Sequence, residues 1–254
     1  MKLLLQGAEK KVVIVLPAYN AAKTLRATLD EIPPGTFDEI ILVDDASRDD
    51  TACIAKDLVT RVVEHPTNRG YGGNQKTCYQ HALQAGADIV VMVHPDNQYN
   101  PKLIPNMIVP IYFGQADVVL ASRFIQDPIK GGPVVGGMPL LKYVVNRMLT
   151  TIQNWMMGTY FSEFHTGYRA FSREALQSVD FLKLSDDYVF DNQILAQLVH
   201  KKLRFQQIGV ETRYFPDAHS INLRRGAIYA AGCLYTGTRY FLHRKNILRW
   251  DLLD

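Results

Sequence analysis

The sequence predicts an α/β fold in which a mostly parallel sheet is covered by helices, and three observations carry that expectation. Through the first 125 residues, short apolar, β-branched runs alternate with amphipathic stretches of helical length. Several of the runs close on polar residues at their carboxyl ends. With 47% hydrophobic and 21% charged residues in a chain of 254, there is apolar material for one large core or two modest ones, which excludes disorder as the main state.

The elements follow in order. KVVIVLP, DEIILVDD, RVVEH, ADIVVMVH and ADVVLASRF read as five strands of a sheet covered by helices. Between them, 20–32 places Leu25 and Leu29 four residues apart on one helical face, 50–59 reads as a helix opening after Ser47, and 72–85 as another. Residues 127–139, with five glycines and prolines among 131–137, read as a mobile loop. A helix over 140–157 comes next, then the polar-aromatic stretch SEFHTGYRAF and a helix near 189–201. The strand-like FQQIGVETRYF and a final helix after Arg224 complete the series. There is no internal repeat and no low-complexity tract.

Charge and cysteine usage narrow the class. The net charge of +3 conceals a basic end: residues 200–250 hold ten Lys/Arg against two Asp/Glu, while the rest is net acidic. That balance implies phosphates, anionic lipid or nucleic acid nearby, or simply a solvated basic surface. The three cysteines lie far apart without zinc-site spacing and are expected to be buried thiols of a reducing compartment. No stretch approaches the roughly 18 apolar residues of a spanning helix, and the opening segment has a charged break where a signal peptide needs an apolar run. The chain is expected to be soluble or peripheral, cytoplasmic, at the inner face of a membrane.

In open α/β sheets, ligands bind where strands end, so Pro17, Tyr19, Asn20, Asp44, Asp45 and the His94–Gln98 run are expected to converge on one crevice. Asp45 is placed to accept hydrogen bonds from a nucleobase imide or a ribose hydroxyl. Asp44 to Ser47 equally suit a helix N-cap. Gly70, Gly72 and Gly73 permit close backbone approach to a ligand, but NRGYGGN is neither a Walker loop nor GxGxxG, which argues against a P-loop NTPase and a dinucleotide dehydrogenase. Arg123, after the fifth strand, either clamps phosphate bidentately or forms a surface ion pair. On its own HPD reads as a turn, with Asp96 capping the next helix.

PAYN at 17–20, VDDASRDDT at 43–51, NRGYGGN at 68–74, HPDNQY at 94–99, ASRF at 121–124, HTGYRAFSR at 165–173 and DDYVFDNQ at 186–193 occur in one order across most of residues 12–225. Together they resemble the family 2 glycosyltransferases, inverting enzymes of GT-A fold, and within them the polyprenyl-phosphate sugar synthases. The resemblance implies a nucleotide-diphosphate sugar, UDP- or GDP-linked, as donor, with Pro17, Tyr19, Asn20, Asp45, Ser47, Gly70, Asn74 and Asp96 at the nucleotide. It implies Mg2+ or Mn2+ at Asp96 and Gln98, with His94 standing where the family carries its first carboxylate, a departure that suits manganese better. It also implies Arg123 at the leaving diphosphate and Asp191 as general base, the latter only if the acceptor is a hydroxyl, since a phosphate oxygen is already ionised.

For the acceptor, a polyprenyl phosphate, lipid or glycan, the resemblance points to Thr166, Gly167 and Arg169 and, by a looser match, to Arg213, Ser220 and Arg224. His165, Tyr168 and Phe171 read equally as a locally bonded histidine and core aromatics. The chain is expected to be one domain over 1–254, with a nucleotide-sugar half at 1–125, an acceptor half at 126–225 and a basic-aromatic helical segment at 226–254. That segment fits a peripheral membrane contact or a second subunit of a homo-oligomer. Nucleic acid is not expected, because a base-reading module is missing. The rival reading is a non-catalytic nucleotide-binding module whose metal site has lost a carboxylate.

Overall fold

The structure is a computed structural model that describes residues 10–125, 132–213 and 223–253. The five expected strands are present as β1 (Val12–Ala18), β2 (Glu39–Asp44), β3 (Arg61–Glu64), β4 (Ile89–Met92) and β5 (Val118–Ser122). Two more come from the second half of the chain, β6 (Arg169–Ser172) and β7 (Phe205–Gly209). All seven form one sheet in the order β3-β2-β1-β4-β6-β5-β7. Pairing is parallel throughout except where β6 runs against β4 and β5.

Successive side chains of a strand face opposite sides of its sheet, and both sides here are covered. Val13, Val15, Ile41, Val43, Val90 and Met92 face one core, shared with α3 (Gly70–Gln84) and α7 (Phe190–His200). Ile14, Leu16, Ile40, Leu42, Ile89 and Val91 face the other, shared with α1 (Leu25–Asp30), α2 (Thr51–Lys56) and α4 (Ile104–Tyr112). Burial on both faces is why these runs are near-continuously apolar. The remaining helices are α5 (Leu140–Met157), the short α6 (Arg173–Gln177) and α8 (Leu223–Arg244), which packs along α5 with Trp155 stacked on Phe241 at 5.1 Å between centroids.

Several expectations change. The first helix starts at Leu25 rather than 20, because Asn20 sits at φ 51°, outside helical space, and its backbone N–H donates to Ser47 Oγ at 2.8 Å. Helix α4 carries Pro110 inside it, so a rule that ends helices at proline misses it. Strand β6 is four residues long and carries no pattern of its own. Tyr168 and Phe171 are core, but Cys53 is exposed, against the expected burial; Cys78 and Cys233 are buried. Residues 127–131 of the Gly/Pro-rich segment, Tyr214 and Phe215 of the FQQIGVETRYF run, and Ser220 lie outside the described residues.

The direction of β6 matters for the site. Parallel strands deliver the residues after their carboxyl ends to one edge of the sheet. An antiparallel strand delivers the residues before its amino end to that same edge, so 158–168 join those following β1, β2, β4 and β5.

Candidate active site

At the end of β2, two adjacent carboxylates have different surroundings. Asp45, 2% exposed, takes Arg69 N at 2.8 Å and His65 Nδ1 at 2.7 Å on Oδ1, and Gly70 N at 3.0 Å on Oδ2. Its acceptor capacity is largely occupied by the entry to α3. Asp44, 3% exposed, accepts Ser47 N at 3.0 Å on Oδ2, while Oδ1 is buried without a partner among the described residues. A buried carboxylate oxygen left unmatched is costly unless a ligand supplies a donor. The sequence points to Asp45 as the nucleobase acceptor, whereas the unmatched buried carboxylate oxygen of the pair is on Asp44. Neither residue caps α2, whose N-cap is Asp50.

The start of α3 is filled from within. Gly72 N and Gly73 N both donate to the Asp186 carbonyl, at 2.7 and 3.2 Å, and a Cβ on Gly70 would stand 2.7 Å from that same oxygen. The four orphan N–H groups that make a helix start attractive to phosphate are thus largely satisfied. Asn74, 4% exposed, donates to Ala18 O at 3.2 Å and Val43 O at 3.1 Å, tying β1 to β2. Gly70 and Asn74 therefore hold the crevice wall. Pro17 is buried and Tyr19 exposed beside it, and Asn20 Oδ1 accepts Arg48 N at 2.8 Å.

His94, Asp96 and Gln98 follow β4. Asp96 Oδ1 accepts Gln98 N at 3.0 Å, the expected turn, but the helix cap beyond it is Asn100, which accepts Lys102 N. Thr24 Oγ1 donates to Pro95 O at 2.6 Å and Arg213 N to Gln98 O at 2.8 Å, pinning this loop from two sides. His94 Nε2 lies 3.2 Å from the Tyr71 hydroxyl, and the two rings stack at 5.4 Å and 11°. Burial lowers the His94 pKa against the opposing charges of Asp96 and Asp191. No group of three His, Cys, Asp or Glu able to hold a metal occurs among the described residues. The run from His94 to Gln98 offers one carboxylate, one imidazole and one amide, donor types that a divalent cation would have to complete with oxygen ligands of its own.

The residues expected to act on leaving group and acceptor are mostly tied to other protein groups. The Arg123 guanidinium pairs with Glu163 Oε1 through Nη2 and, at 2.8 Å, Nε, and Arg123 N donates to Oε2 at 2.9 Å. This is neither a phosphate clamp nor a surface pair; Glu163 is 1% exposed and no signal in the sequence marked it. Burial would raise the Glu163 carboxyl, but the Arg123 charge and hydrogen bonds outweigh it and leave the pKa lowered. Asp191, 6% exposed, accepts Tyr71 Oη at 2.7 Å on Oδ2 and Gln75 Nε2 at 3.2 Å on Oδ1, where Arg169 Nη1 also lies at 3.2 Å. Both carboxylate oxygens of Asp191 are thus engaged by protein donors.

Arg169, fully buried, donates Nε to Thr166 O, Nη2 to Phe164 O and Nη1 to Asp191 O, and so staples the 164–168 loop to α7 rather than meeting an acceptor anion. Thr166 is buried, its Oγ1 accepting Tyr168 N, and Gly167 packs against His94. His165 pairs through Nδ1 with the Tyr229 hydroxyl at 2.8 Å, and burial depresses its pKa to about 4. Arg213 forks onto Glu31 at 2.8 and 3.0 Å and onto Asn97. Arg224 is exposed in the first turn of α8.

Comparison with known proteins follows the same outline. Residues 13–179 match the family model described as Glycosyl transferase family 2. The UDP-N-acetylglucosamine–dolichyl-phosphate N-acetylglucosaminyltransferase of Methanococcus voltae is 30% identical over 224 residues, 82% of this chain and 87% of its own. The polyprenol monophosphomannose synthase of Mycolicibacterium smegmatis is 22% identical, across 79% of this chain and 77% of that one. Among solved structures, glucosyl-3-phosphoglycerate synthase from Mycobacterium tuberculosis, in complex with Mn2+, UDP and glucosyl-3-phosphoglycerate, shares the fold with a TM-score of 0.69 at 22% identity, over 95% of this chain and 82% of that chain.

Proposed function

The chain belongs to glycosyl transferase family 2, an enzyme of the hexosyltransferase kind on a GT-A fold, and on that premise we propose that it moves a sugar from a UDP- or GDP-linked donor to a polyprenyl phosphate, with inversion. The observation that carries the acceptor class is the enclosure of Asp191 by Tyr71, Gln75 and Arg169. A hydroxyl acceptor needs a base within reach, whereas a phosphate monoester arrives ionised and needs none. The names of the two relatives with lipid-phosphate acceptors support the same choice.

In this reading the buried Oδ1 of Asp44 accepts from the nucleobase or ribose, beside Tyr19 and Asn20. His94, Asp96 and Gln98 would hold Mg2+ or Mn2+, which when bound would offset the negative charge of the departing group. An oxygen of the acceptor phosphate attacks the anomeric carbon from the face opposite the diphosphate. The bond from that carbon to the donor oxygen breaks, its electron pair leaves with the nucleoside diphosphate, and the configuration inverts. Arg123 and Arg169 act at one remove, fixing Glu163 and the 164–168 loop so that Gly167 meets His94.

A lipid acceptor requires access to a membrane. No helix among the described residues is long and apolar enough to cross one. Helix α5, however, leaves Leu140, Leu141, Val144, Val145 and Met148 exposed on successive turns, α8 adds exposed Ile228, and Arg224 and Arg225 are exposed at the start of α8. An exposed apolar stripe, together with exposed cations at the start of the helix packed along it, suits the cytoplasmic face of an anionic bilayer, and on that charge this lipid contact is preferred to a second subunit as its cover.

The test supplies UDP- and GDP-sugars with a polyprenyl phosphate or the matching free polyprenol, and reads the glycolipid by mass spectrometry. Transfer to the phosphate alone is expected. Transfer to the free alcohol would overturn the acceptor assignment.

A further inference from the structure

We propose that Asp191 and Tyr71 are positioning residues for His94: a hydrogen-bond chain from His94 Nε2–H through the Tyr71 hydroxyl to the Asp191 carboxylate fixes the imidazole in its Nε2-protonated tautomer, leaves the Nδ1 lone pair for a divalent cation, and tilts the site toward Mn2+ over Mg2+. The inference rests on the cation reading above and goes further by saying what sets the ligand.

The direction of the chain follows from its acceptor end. Asp191, paired with the Arg169 guanidinium, only accepts, so at 2.7 Å the Tyr71 hydroxyl is the donor. That hydroxyl has one proton, and toward His94 Nε2 at 3.2 Å it presents a lone pair, which only an N–H complements. The geometry is held from both sides. Tyr71 is wedged between His94 at 5.4 Å and Tyr188 at 4.7 Å, and a Cβ on Gly167 would stand 2.7 Å from His94 Cδ2 and 3.0 Å from the Tyr71 hydroxyl. The Nε2 edge is therefore closed by Tyr71 and the 164–168 loop, while Nδ1 makes no hydrogen bond among the described residues. A ligating histidine is held through its other nitrogen in this way, and imidazole favours manganese over the harder magnesium.

The tautomer is read on the wild-type protein with isotopically labelled histidine, by long-range proton–nitrogen correlation, the His94 signals being identified by their loss in His94→Gln. A proton on Nε2 is expected; a proton on Nδ1 would overturn the proposal, and this measurement needs neither cation nor turnover. Manganese affinity in the presence of UDP or GDP is then followed by electron paramagnetic resonance, with magnesium as competitor, for wild type and Tyr71→Phe. A folded Tyr71→Phe protein should lose the fixed tautomer and bind Mn2+ about tenfold more weakly, with Mg2+ much less affected. Unchanged Mn2+ affinity in that variant overturns the relay and leaves the cation reading standing. A wild-type protein that binds no cation with either nucleotide overturns the cation reading itself, and the manganese preference with it.

Discussion

Asp44 and Asp45 are neighbours in sequence whose carboxylates answer to different partners. Asp45 satisfies two backbone N–H groups at the entry to α3 and a buried histidine, so its removal strands donors in the interior. Asp45→Ala is expected to lower the unfolding free energy by about 3 kcal/mol, measured by urea denaturation. Asp44→Asn should keep the fold and lose most of the thermal stabilisation that UDP or GDP confers, and equal ligand-induced shifts in variant and wild type would refute the Asp44 contact. The sequence makes the pair of carboxylates legible but not their division, because which one keeps an unmatched oxygen is decided by a backbone turn at Ala46, at φ 58°, and by residues 20 to 25 positions later in the chain. Arg123 shows the same limit. Its place after β5 is readable, whereas its partner Glu163 lies 40 residues away in a loop without periodicity.

Among the elements, those with a long hydrophobic period or a continuous apolar run were readable almost to the residue: β1 to β5, α5 and α7. Those defined by pairing alone were not. Strand β6 owes its existence to hydrogen bonds with β4 and β5 on either side, which four residues of sequence cannot announce. Helix α5 was legible as a helix, yet its second face was not, since an outward apolar stripe looks like core until the neighbours are known. Replacing Leu141 and Met148 by Glu should abolish co-sedimentation with vesicles containing anionic lipid while leaving nucleotide binding intact. Retained sedimentation would show that α5 is not the membrane contact. The tight seat of α3 has a similar source: a Cβ on Gly70 would stand 2.7 Å from the Asp186 carbonyl oxygen and one on Gly72 2.7 Å from Phe190 Cβ, so these glycines let the start of α3 pack closely against the 185–190 segment.

For the molecule as a whole, acid should be destabilising from an unusually mild pH. His165 takes up its proton in the unfolded chain near the ordinary histidine value of 6.5, but in the native state burial holds it to about 4. His81 and His94 are also lowered by burial. Between those limits the unfolded state binds more protons, so stability falls as pH falls. Glu163, whose pKa is lowered, adds a second loss below the ordinary carboxylate range. Urea denaturation from pH 7 to 4 should therefore show a continuous decline, flattened at its upper end in His165→Gln; a level profile over that interval would contradict it. The parallel half of the sheet was legible because each strand ends in a polar run, and that half supplies Asp44, His94 and Asp96. The remainder of the rim comes from the reversed strand. Because β6 runs against its neighbours, residues 158–168 reach the rim as a single graft, anchored by α5 on one side and Arg169 on the other. Because Gly167 of that graft abuts His94 and Glu163 holds Arg123, a change of length between 158 and 168 is transmitted to the segments after β4 and β5, so this stretch and the strand ends it touches must vary together.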